Sequence, residues 1–300
     1  MKVIAAMAQL LDRKRLRTMW DDALLEDGAH NDVTSLVAVS PRQVTAVRLV
    51  SREKGTFAGT AVLDVLREAY PTELTVTDRI ADGAALAPAT LIAELAGSAR
   101  RLLAIERTLL NFLQRLCGVA TATRACVDAV AGTGAEIYDT RKTVPGWRQL
   151  DKYAVRCGGG RNHRMGLHDA VLVKDNHLAG IEPTRLRAGV ADLVAAAAAL
   201  APPPQFIEIE VDNLGEFDEI VAVPGIDVIL LDNFTPADMR KAVARRDARG
   251  LRGKLQLEAS GGLTLARVAE TAATGVERIA IGAITHSART LDLALDLQSS

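Results

Sequence analysis

Short apolar runs alternate with longer amphipathic stretches through the second half of the chain. The apolar runs predict strands at 135–139, 170–174, 206–211, 226–232, 254–258 and 278–282. Helix-like segments separate the later runs, at 183–201, 212–222, 236–248 and 264–273. Since strands that alternate with helices pair in parallel, this pattern predicts a TIM-like α/β barrel that is open, or incomplete, because it has six units.

The first half of the chain has a different pattern. Leucines near helical spacing predict a helix within residues 1–30, and we interpret its apolar start as amphipathic rather than as a signal peptide. From Val44 to Gly97, short alternating runs predict a mainly antiparallel sheet with one inserted helix. Residues 98–131 predict a long helix with a wide apolar face, broken near Gly118.

The composition of the chain argues against several function classes. Aromatic residues make up 3% of it and the formal net charge is −1, which disfavours base-stacking platforms and non-specific nucleic-acid binding. The three cysteines, Cys117, Cys126 and Cys157, lack CxxC spacing and suit a reducing compartment. The N-terminal apolar run is too short to span a bilayer. We therefore expect a cytoplasmic protein with neither a nucleic-acid nor a membrane partner.

Positive charge is concentrated in one segment, residues 139–177. This segment carries eight Lys and Arg residues against four Asp, and three of the five histidines. The runs Asp139–Lys142 and Lys174–His177 place cations directly after two predicted strands, where they suit anion binding. The three glycines at 158–160 indicate a close approach of the backbone to another group. A solvated basic loop is the alternative interpretation of the segment.

Acidic residues and small-residue turns lie at the ends of the later predicted strands. These positions are Glu208, Glu210, Asp232, Glu258, Ser260–Gly262 and Gly282. Because parallel strands of a barrel end at one rim, cations and carboxylates would meet there, as a phosphorylated substrate with a divalent metal requires. The Ser-Gly-Gly turn before a helix, together with Gly282, is typical of a phosphate cradle.

Several of these residues also have a purely structural interpretation. A structural ion pair explains Glu208 as well as a ligand role does, and a helix cap explains Asp232. On its own, Arg107 is best interpreted as an exposed helix charge paired with its neighbours. Loop histidines account for His163 and His168, since no spacing in the chain resembles a zinc site.

Taken together, these runs resemble the quinolinate phosphoribosyltransferase family. The matching runs are 106–121, 139–177 with its TRK, GGGxNHR and KDNH motifs, 208–213, 230–234, 258–262 and 281–295. The resemblance extends over nearly the whole chain from about residue 20. It implies an N-terminal α/β sandwich domain followed by an open α/β barrel.

The division of the chain follows from this resemblance. We assign residues 1–131 to the N-terminal domain with its long linking helix, and residues 132–285 to the barrel. Residues 286–300 are predicted to form a C-terminal helix that packs on the N-terminal domain. The resemblance also implies a homodimer, or a higher homo-oligomer, in which the N-terminal region of one subunit completes the active site of the other.

The activity that the resemblance implies is phosphoribosyl transfer with decarboxylation. Quinolinate and phosphoribosyl pyrophosphate would give nicotinate mononucleotide, pyrophosphate and CO₂, with Mg²⁺ as cofactor, in de novo NAD biosynthesis. Two alternatives remain open: a related transferase acting on another base, such as the ModD-like proteins found with molybdate transport, and a non-catalytic metabolite sensor.

The family's site residues are carried over position by position. The basic and polar substrate-binding positions are Arg107, Thr140, Arg141, Lys142, His163, Arg164 and Lys174. The acidic pair associated with Mg²⁺ and the ribose hydroxyls is Glu210 and Asp232, and the phosphate-binding turns are Ser260, Gly261, Gly262 and Gly282. Catalytic roles are predicted for Lys142, Glu210 and Asp232, which would act on the leaving group and the developing positive charge.

Overall fold

The computed structural model describes residues 11–298, so the predicted helix start at residues 1–10 lies outside the described residues. In chain order the elements are α1 (Arg13–Glu26), α2 (Val33–Ala38), β1 (Val44–Ser51), β2 (Gly55–Thr56), α3 (Thr60–Ala69), β3 (Leu74–Asp78), β4 (Ala85–Leu86), β5 (Leu91–Ser98), α4 (Ala99–Ala129), β6 (Glu136–Tyr138), α5 (Arg148–Cys157), β7 (Val171–Val173), α6 (Asp175–Leu178), α7 (Leu186–Ala198), β8 (Ile207–Val211), α8 (Leu214–Ile220), β9 (Val228–Asp232), α9 (Pro236–Ala248), β10 (Gln256–Ser260), α10 (Leu265–Ala272), β11 (Arg278–Ala280), α11 (Ala283–His286) and β12 (Leu293–Leu297). None of the described helices combines the length and apolarity needed to cross a membrane.

The described chain divides into two compact units. The first holds the residues up to Arg124, Val144–Gly159 and those from Ser287 onward, and the second holds Ala125–Thr143 and Gly160–His286. The division predicted at residue 131 therefore differs, because α5 belongs to the first unit. The buried carboxylate of Asp151 on α5 explains this, since it accepts a 3.0 Å hydrogen bond from Arg115 of α4.

The first unit is built on an antiparallel sheet in the order β12-β1-β5-β3. Helix α3 is inserted between the strands, as the alternating pattern predicts. The predicted C-terminal helix is wrong, because residues 293–297 form β12, which pairs with β1 from Val47↔Leu297 to Ser51↔Leu293. Pairing with β1 satisfies the backbone of an otherwise open sheet edge, and this gain outweighs the local helix preference of the Leu- and Ala-rich run.

Helix α4 runs unbroken from Ala99 to Ala129, so the break predicted near Gly118 is wrong. A Cβ at Gly118 would lie 2.0 Å from the carbonyl oxygen of Arg289, so glycine is required by close packing. Gly158 has the same role: a Cβ there would lie 2.5 Å from the carbonyl oxygen of Ala120 on α4. The close approach predicted for the three glycines is therefore partly a contact with a helix.

The second unit is built on a parallel sheet in the order β6-β11-β10-β9-β8-β7, with six strands in the described part of the chain. Within residues 11–298 the end strands β6 and β7 do not pair with each other, which confirms the predicted open α/β barrel. Every residue of β8 is buried, as expected for a parallel strand covered on both faces. Since all strands run the same way, the residues after them meet at one edge.

Candidate active site

The carboxyl ends of the parallel strands surround a cavity of about 610 Å³ in the second unit. All the predicted site residues except Arg107 line it: Thr140, Arg141, Lys142, His163, Arg164, Lys174, Glu210, Asp232, Ser260, Gly261, Gly262 and Gly282. His163 and Arg164 lie in the loop before β7, and the others come from the ends of different strands, which strand order brings together. The alternative of a solvated basic loop is thus disfavoured for Arg141, Lys142 and Lys174.

Arg107 is the exception, since it lies on α4 in the first unit. Its side chain is exposed, and no hydrogen bond or ion pair joins it to another residue of the described chain. The structural interpretation, a charge paired with its neighbours on the helix, therefore does not hold within residues 11–298. A cation without a partner is available for a ligand or for a second molecule.

Carboxylates are concentrated at the ends of β8 and β9. Glu210 forms an ion pair with Lys174, and Oδ2 of Asp232 accepts a 2.6 Å hydrogen bond from the side chain of Asn233. Burial raises the pKa of Glu210 above its ordinary value, Lys174 offsets part of this rise, and the charges of Asp232 and Asp175 add to it. The mutual repulsion of these carboxylates would be relieved by a bound cation.

The turn after β10 depends on its glycines. Gly261 and Gly262 have φ values of +92° and +56°, in the left-handed region that side chains avoid. Helix α10 follows at Leu265, so the turn presents backbone N–H groups near a helix N-terminus. The helix cap proposed for Asp232 is wrong, because Thr235 caps α9 by accepting a 3.1 Å hydrogen bond from the Asp238 N–H.

Gly282, after β11, makes room for a catalytic candidate. A Cβ at this position would lie 2.9 Å from Cδ of Lys142 and 3.2 Å from the ring of His286. The hydroxyl of Thr285 also donates a 2.7 Å hydrogen bond to the carbonyl oxygen of Lys142. Gly282 and Thr285 together fix the position of Lys142 at the cavity wall.

The loop that carries His163 and Arg164 is held by a buried aspartate. The two oxygens of Asp139 accept hydrogen bonds from the His163 N–H, at 2.8 Å, and from the Asn162 side chain, at 2.6 Å. Arg164 donates to the carbonyl oxygen of Ala170 at 3.1 Å. Burial lowers the pKa of Arg164, the charge of Arg141 lowers it further, and both side chains line the cavity. Such a pair suits an anionic ligand.

A buried ionic cluster lies beneath this loop. Nε2 of His163 lies 2.8 Å from Glu208 and 3.5 Å from Glu258, and Arg278 donates to Glu258 at 2.7 Å. Glu208 therefore forms a structural ion pair, although with His163 and not with the lysine or arginine that the structural interpretation expected. Arg278 was not predicted from the sequence, because a single charged residue among the apolar residues of a strand forms no pattern that indicates a function. Glu258 also lines the cavity, and its position at a strand end was the available signal.

Two contacts of His163 favour different protonation states. The Arg164 N–H lies 2.8 Å from Nδ1, which favours a neutral ring, whereas the two buried carboxylates favour the imidazolium. The carboxylates prevail, because full charges in a buried site outweigh one contact with a backbone dipole. Burial lowers the pKa of His163, but the hydrogen bonds and charges of Glu208 and Glu258 raise it to about 9.

The same cluster could be mistaken for a metal centre. His163, Glu208 and Glu258 place potential ligand atoms within 4.8 Å of one another. A metal ion requires a deprotonated imidazole, however, and His163 is protonated at neutral pH while Arg278 adds a second positive charge. Burial and the charge of Glu258 also raise the pKa of Glu208, so the group carries no net negative charge to attract a metal.

Thiol chemistry is disfavoured by the environment of the three cysteines. Cys117, Cys126 and Cys157 are all free and buried. Burial raises the pKa of Cys117 to about 12 and that of Cys126 to about 11, and it raises the pKa of Cys157 further. Because the thiolate is the nucleophile, these thiols are inert near neutral pH.

The raised pKa of His163 predicts a pH-dependent stability. The folded-state pKa of about 9 exceeds the ordinary value of 6.5, so the stabilisation is complete below pH 6.5 and is lost as the pH rises through 9. We expect the melting temperature of the protein to fall across this window, and to fall less in His163→Gln. Thermal unfolding of both proteins from pH 6 to 10 tests this, and parallel curves would contradict the assigned pKa.

Comparison with known proteins gives two matching family models and several similar relatives. A family model described as quinolinate phosphoribosyl transferase, C-terminal domain, matches residues 119–296, and the corresponding N-terminal domain model matches residues 32–117. Nicotinate-nucleotide pyrophosphorylase (carboxylating) of Mycobacterium leprae is 45% identical over 278 residues, covering 92% of this chain and 94% of that protein. A probable enzyme of the same name from Bacillus subtilis is 35% identical, covering 97% and 96%.

A solved structure extends the match to three dimensions. The nicotinate-nucleotide pyrophosphorylase of Francisella tularensis superposes with a TM-score of 0.86 at 34% identity, covering 96% of this chain and 98% of that one. Both family models, the relatives and the solved structure cover the two units together. This chain belongs to the quinolinate phosphoribosyltransferase family.

Proposed function

We propose that this chain transfers the phosphoribosyl group of phosphoribosyl pyrophosphate to quinolinate, with loss of CO₂, in de novo NAD biosynthesis. One observation carries the proposal: a single cavity holds a cationic wall, an acidic pair and two glycine turns. Cations suit a dicarboxylate, carboxylates suit ribose hydroxyls and a metal, and glycine turns suit phosphate. Membership of the family supports the same reaction.

Quinolinate binding is assigned to the basic side chains of the cavity wall. Arg141, Arg164 and Lys174 neutralise the two carboxylates and orient the ring nitrogen toward C1 of the ribose. Arginine suits this role because its planar fork binds a carboxylate through two parallel hydrogen bonds. His163 lies in the same wall, where Glu208 and Glu258 balance its own charge. Holding both reactants in one orientation supplies a large part of the acceleration.

Arg107 completes this set from a second copy of the chain. It is exposed and without a partner in residues 11–298, and the cavity lining does not include it. A homodimer in which α4 of one subunit approaches the cavity of the other supplies the missing cation. This arrangement makes each site depend on two chains.

Bond making and breaking at C1 require stabilisation of opposite charges. As the bond from C1 to pyrophosphate breaks, positive charge develops on the ribose and negative charge on the leaving group. Lys142 stabilises the leaving pyrophosphate, while Glu210 and Asp232 face the ribose. The quinolinate nitrogen then bonds to C1 and becomes positive. The C2 carboxylate leaves as CO₂, its bonding electrons stay on C2 beside that nitrogen, and C2 takes up a proton.

Mg²⁺ fits the donor set at this edge. Glu210 and Asp232 line the cavity, and the pKa of Glu210 is raised by burial and by neighbouring carboxylates, which a cation would stabilise in charged form. Mg²⁺ prefers one or two carboxylates together with substrate phosphates and waters, and two carboxylates are present. When bound it would neutralise pyrophosphate charge.

We also place the protein in the cytoplasm, a location that three free cysteines support.

A substrate panel tests the proposed function. Purified protein is assayed with phosphoribosyl pyrophosphate and Mg²⁺ on quinolinate and, in parallel, on nicotinate, which lacks the C2 carboxylate. We expect turnover of quinolinate, at least a hundred-fold lower kcat/KM with nicotinate, and loss of activity in excess chelator that added Mg²⁺ restores. Equal use of both bases would exclude quinolinate specificity, and full activity in chelator would exclude the metal.

A further inference from the structure

Asn233 lies between the two turns of the cavity that carry Asp232 and Ser260–Gly262. It follows β9 directly and does not itself line the cavity. Its φ is +55°, and within residues 11–298 Ala89 is the other non-glycine residue with a positive φ. This conformation is unfavourable for a residue with a side chain, although asparagine tolerates it better than most.

The chain on the far side of Asn233 is fixed as well. Phe234 is buried, with 5% of its surface exposed, and Thr235 caps α9. The backbone of Asn233 is therefore held between the end of the buried strand β9 and the start of helix α9. Its left-handed conformation is imposed by both neighbours rather than being one state of a free loop.

Asn233 contacts both turns. Its side-chain Nδ2 donates a 2.6 Å hydrogen bond to Oδ2 of Asp232, and its backbone N–H donates a 3.0 Å hydrogen bond to the carbonyl oxygen of Ser260. A Cβ at Gly261 would lie 2.2 Å from Oδ1 of Asn233. Asp232 and Ser260 are also register partners in the parallel sheet, so these contacts continue the pairing of β9 with β10.

We propose that Asn233 is a positioning residue for the phosphoribosyl group. Its amide holds one oxygen of the Asp232 carboxylate, which leaves the other oxygen for the ligand. Its backbone holds the glycine turn at a fixed separation from that carboxylate. Ribose hydroxyls and phosphate are thus bound at a set distance from each other. This inference rests on the proposed function, since the ligand is the donor sugar of that reaction.

Replacement by glycine separates the two contributions of Asn233. Asn233→Gly keeps the positive φ without strain and keeps the backbone N–H, but removes the amide that orients Asp232. The variant is therefore expected to fold. A purely structural role as a turn residue predicts no effect on ligands, because glycine is the better residue for such a turn.

The probe is nicotinate mononucleotide, the proposed product, which carries the ribose and its phosphate and requires no turnover. By isothermal titration calorimetry we expect its Kd to rise about five- to ten-fold in Asn233→Gly, the effect of losing a hydrogen bond to a charged group near solvent. In steady-state assays the KM for phosphoribosyl pyrophosphate should rise by a similar factor, with the KM for quinolinate within about two-fold of wild type.

Asn213 provides the matched control. It follows the neighbouring strand β8 and caps α8, where its side chain accepts hydrogen bonds from the Gly215 and Glu216 N–H groups at 3.0 Å. Asn213→Gly is expected to lower the melting temperature through loss of the cap, and to leave the Kd for nicotinate mononucleotide unchanged.

The outcomes separate the inference from the proposed function. Wild-type binding of nicotinate mononucleotide in Asn233→Gly would overturn the positioning role and leave the function intact. An equal rise in both KM values would also overturn it, since that result indicates general loosening of the site. If the wild-type protein neither binds the mononucleotide nor turns over quinolinate, the proposed function fails, and the role of Asn233 fails with it.

Discussion

Gly261→Ala is expected to lower kcat/KM for phosphoribosyl pyrophosphate by about a hundred-fold or more, the largest single-residue effect on the donor. The added methyl group would lie 2.2 Å from Oδ1 and 2.8 Å from the backbone nitrogen of Asn233. The φ of Gly261 itself is +92°, which a side chain makes unfavourable. The backbone nitrogen cannot yield without moving the turn, because it is hydrogen-bonded to Ser260. The side chain could move only by giving up its hydrogen bond to Asp232. Steady-state kinetics with varied donor measure the effect.

Gly250→Ala is the matched control for this variant. Gly250 has a φ of +68°, but a Cβ there would meet no atom within 4 Å, and the residue lies outside the cavity lining. It should lose about 1 kcal/mol of unfolding free energy from backbone strain and keep wild-type kinetics. If Gly261→Ala also kept wild-type kinetics, the turn would have no part in donor binding.

Arg107→Ala is expected to raise the KM for quinolinate about a hundred-fold, because a charge-assisted contact with a substrate carboxylate is lost. The KM for phosphoribosyl pyrophosphate should change little, because the glycine turns and Lys142 are intact. Arg42→Ala is the matched control, since Arg42 is also an exposed arginine of the first unit and is absent from the cavity lining. A wild-type KM for quinolinate in Arg107→Ala would remove it from the site.

Mixing two impaired variants, assayed with quinolinate well below the raised KM of Arg107→Ala, tests whether Arg107 acts in the second copy. Arg107→Ala and Lys142→Ala damage different parts of the site. In a hybrid dimer, one site therefore has both an intact Arg107 and an intact Lys142, and the other site has neither. Random reassociation should restore about a quarter of wild-type activity. No recovery, with hybrid dimers present, would mean that both residues act within one chain.

The cavity residues were predictable because the rule that places them is local. A polar residue at the end of a buried strand lies at the carboxyl edge of a parallel sheet, whichever strand carries it. That reasoning located Lys174, Glu210 and Asp232 without knowledge of their neighbours. It identified which residues meet, but gave no information about their contacts, such as the ion pair between Lys174 and Glu210.

The features that sequence reasoning missed depend on distant partners. Residues 293–297 form a strand because β1 needs a partner at its open edge, and no local pattern in the C-terminal segment shows that need. Arg278 lies inside a strand because Glu258 neutralises it from the next one. Gly118 remains helical because the chain near Arg289 packs against it. In each case tertiary contact overrides local preference.

The release of CO₂ tests the central claim most directly. Quinolinate labelled with ¹⁴C in its C2 carboxylate is incubated with the protein, phosphoribosyl pyrophosphate and Mg²⁺, and labelled CO₂ is counted against nicotinate mononucleotide. We expect one labelled CO₂ per mononucleotide, and neither product when phosphoribosyl pyrophosphate is omitted. A mononucleotide that retains the label, or no product from wild-type protein, would contradict it.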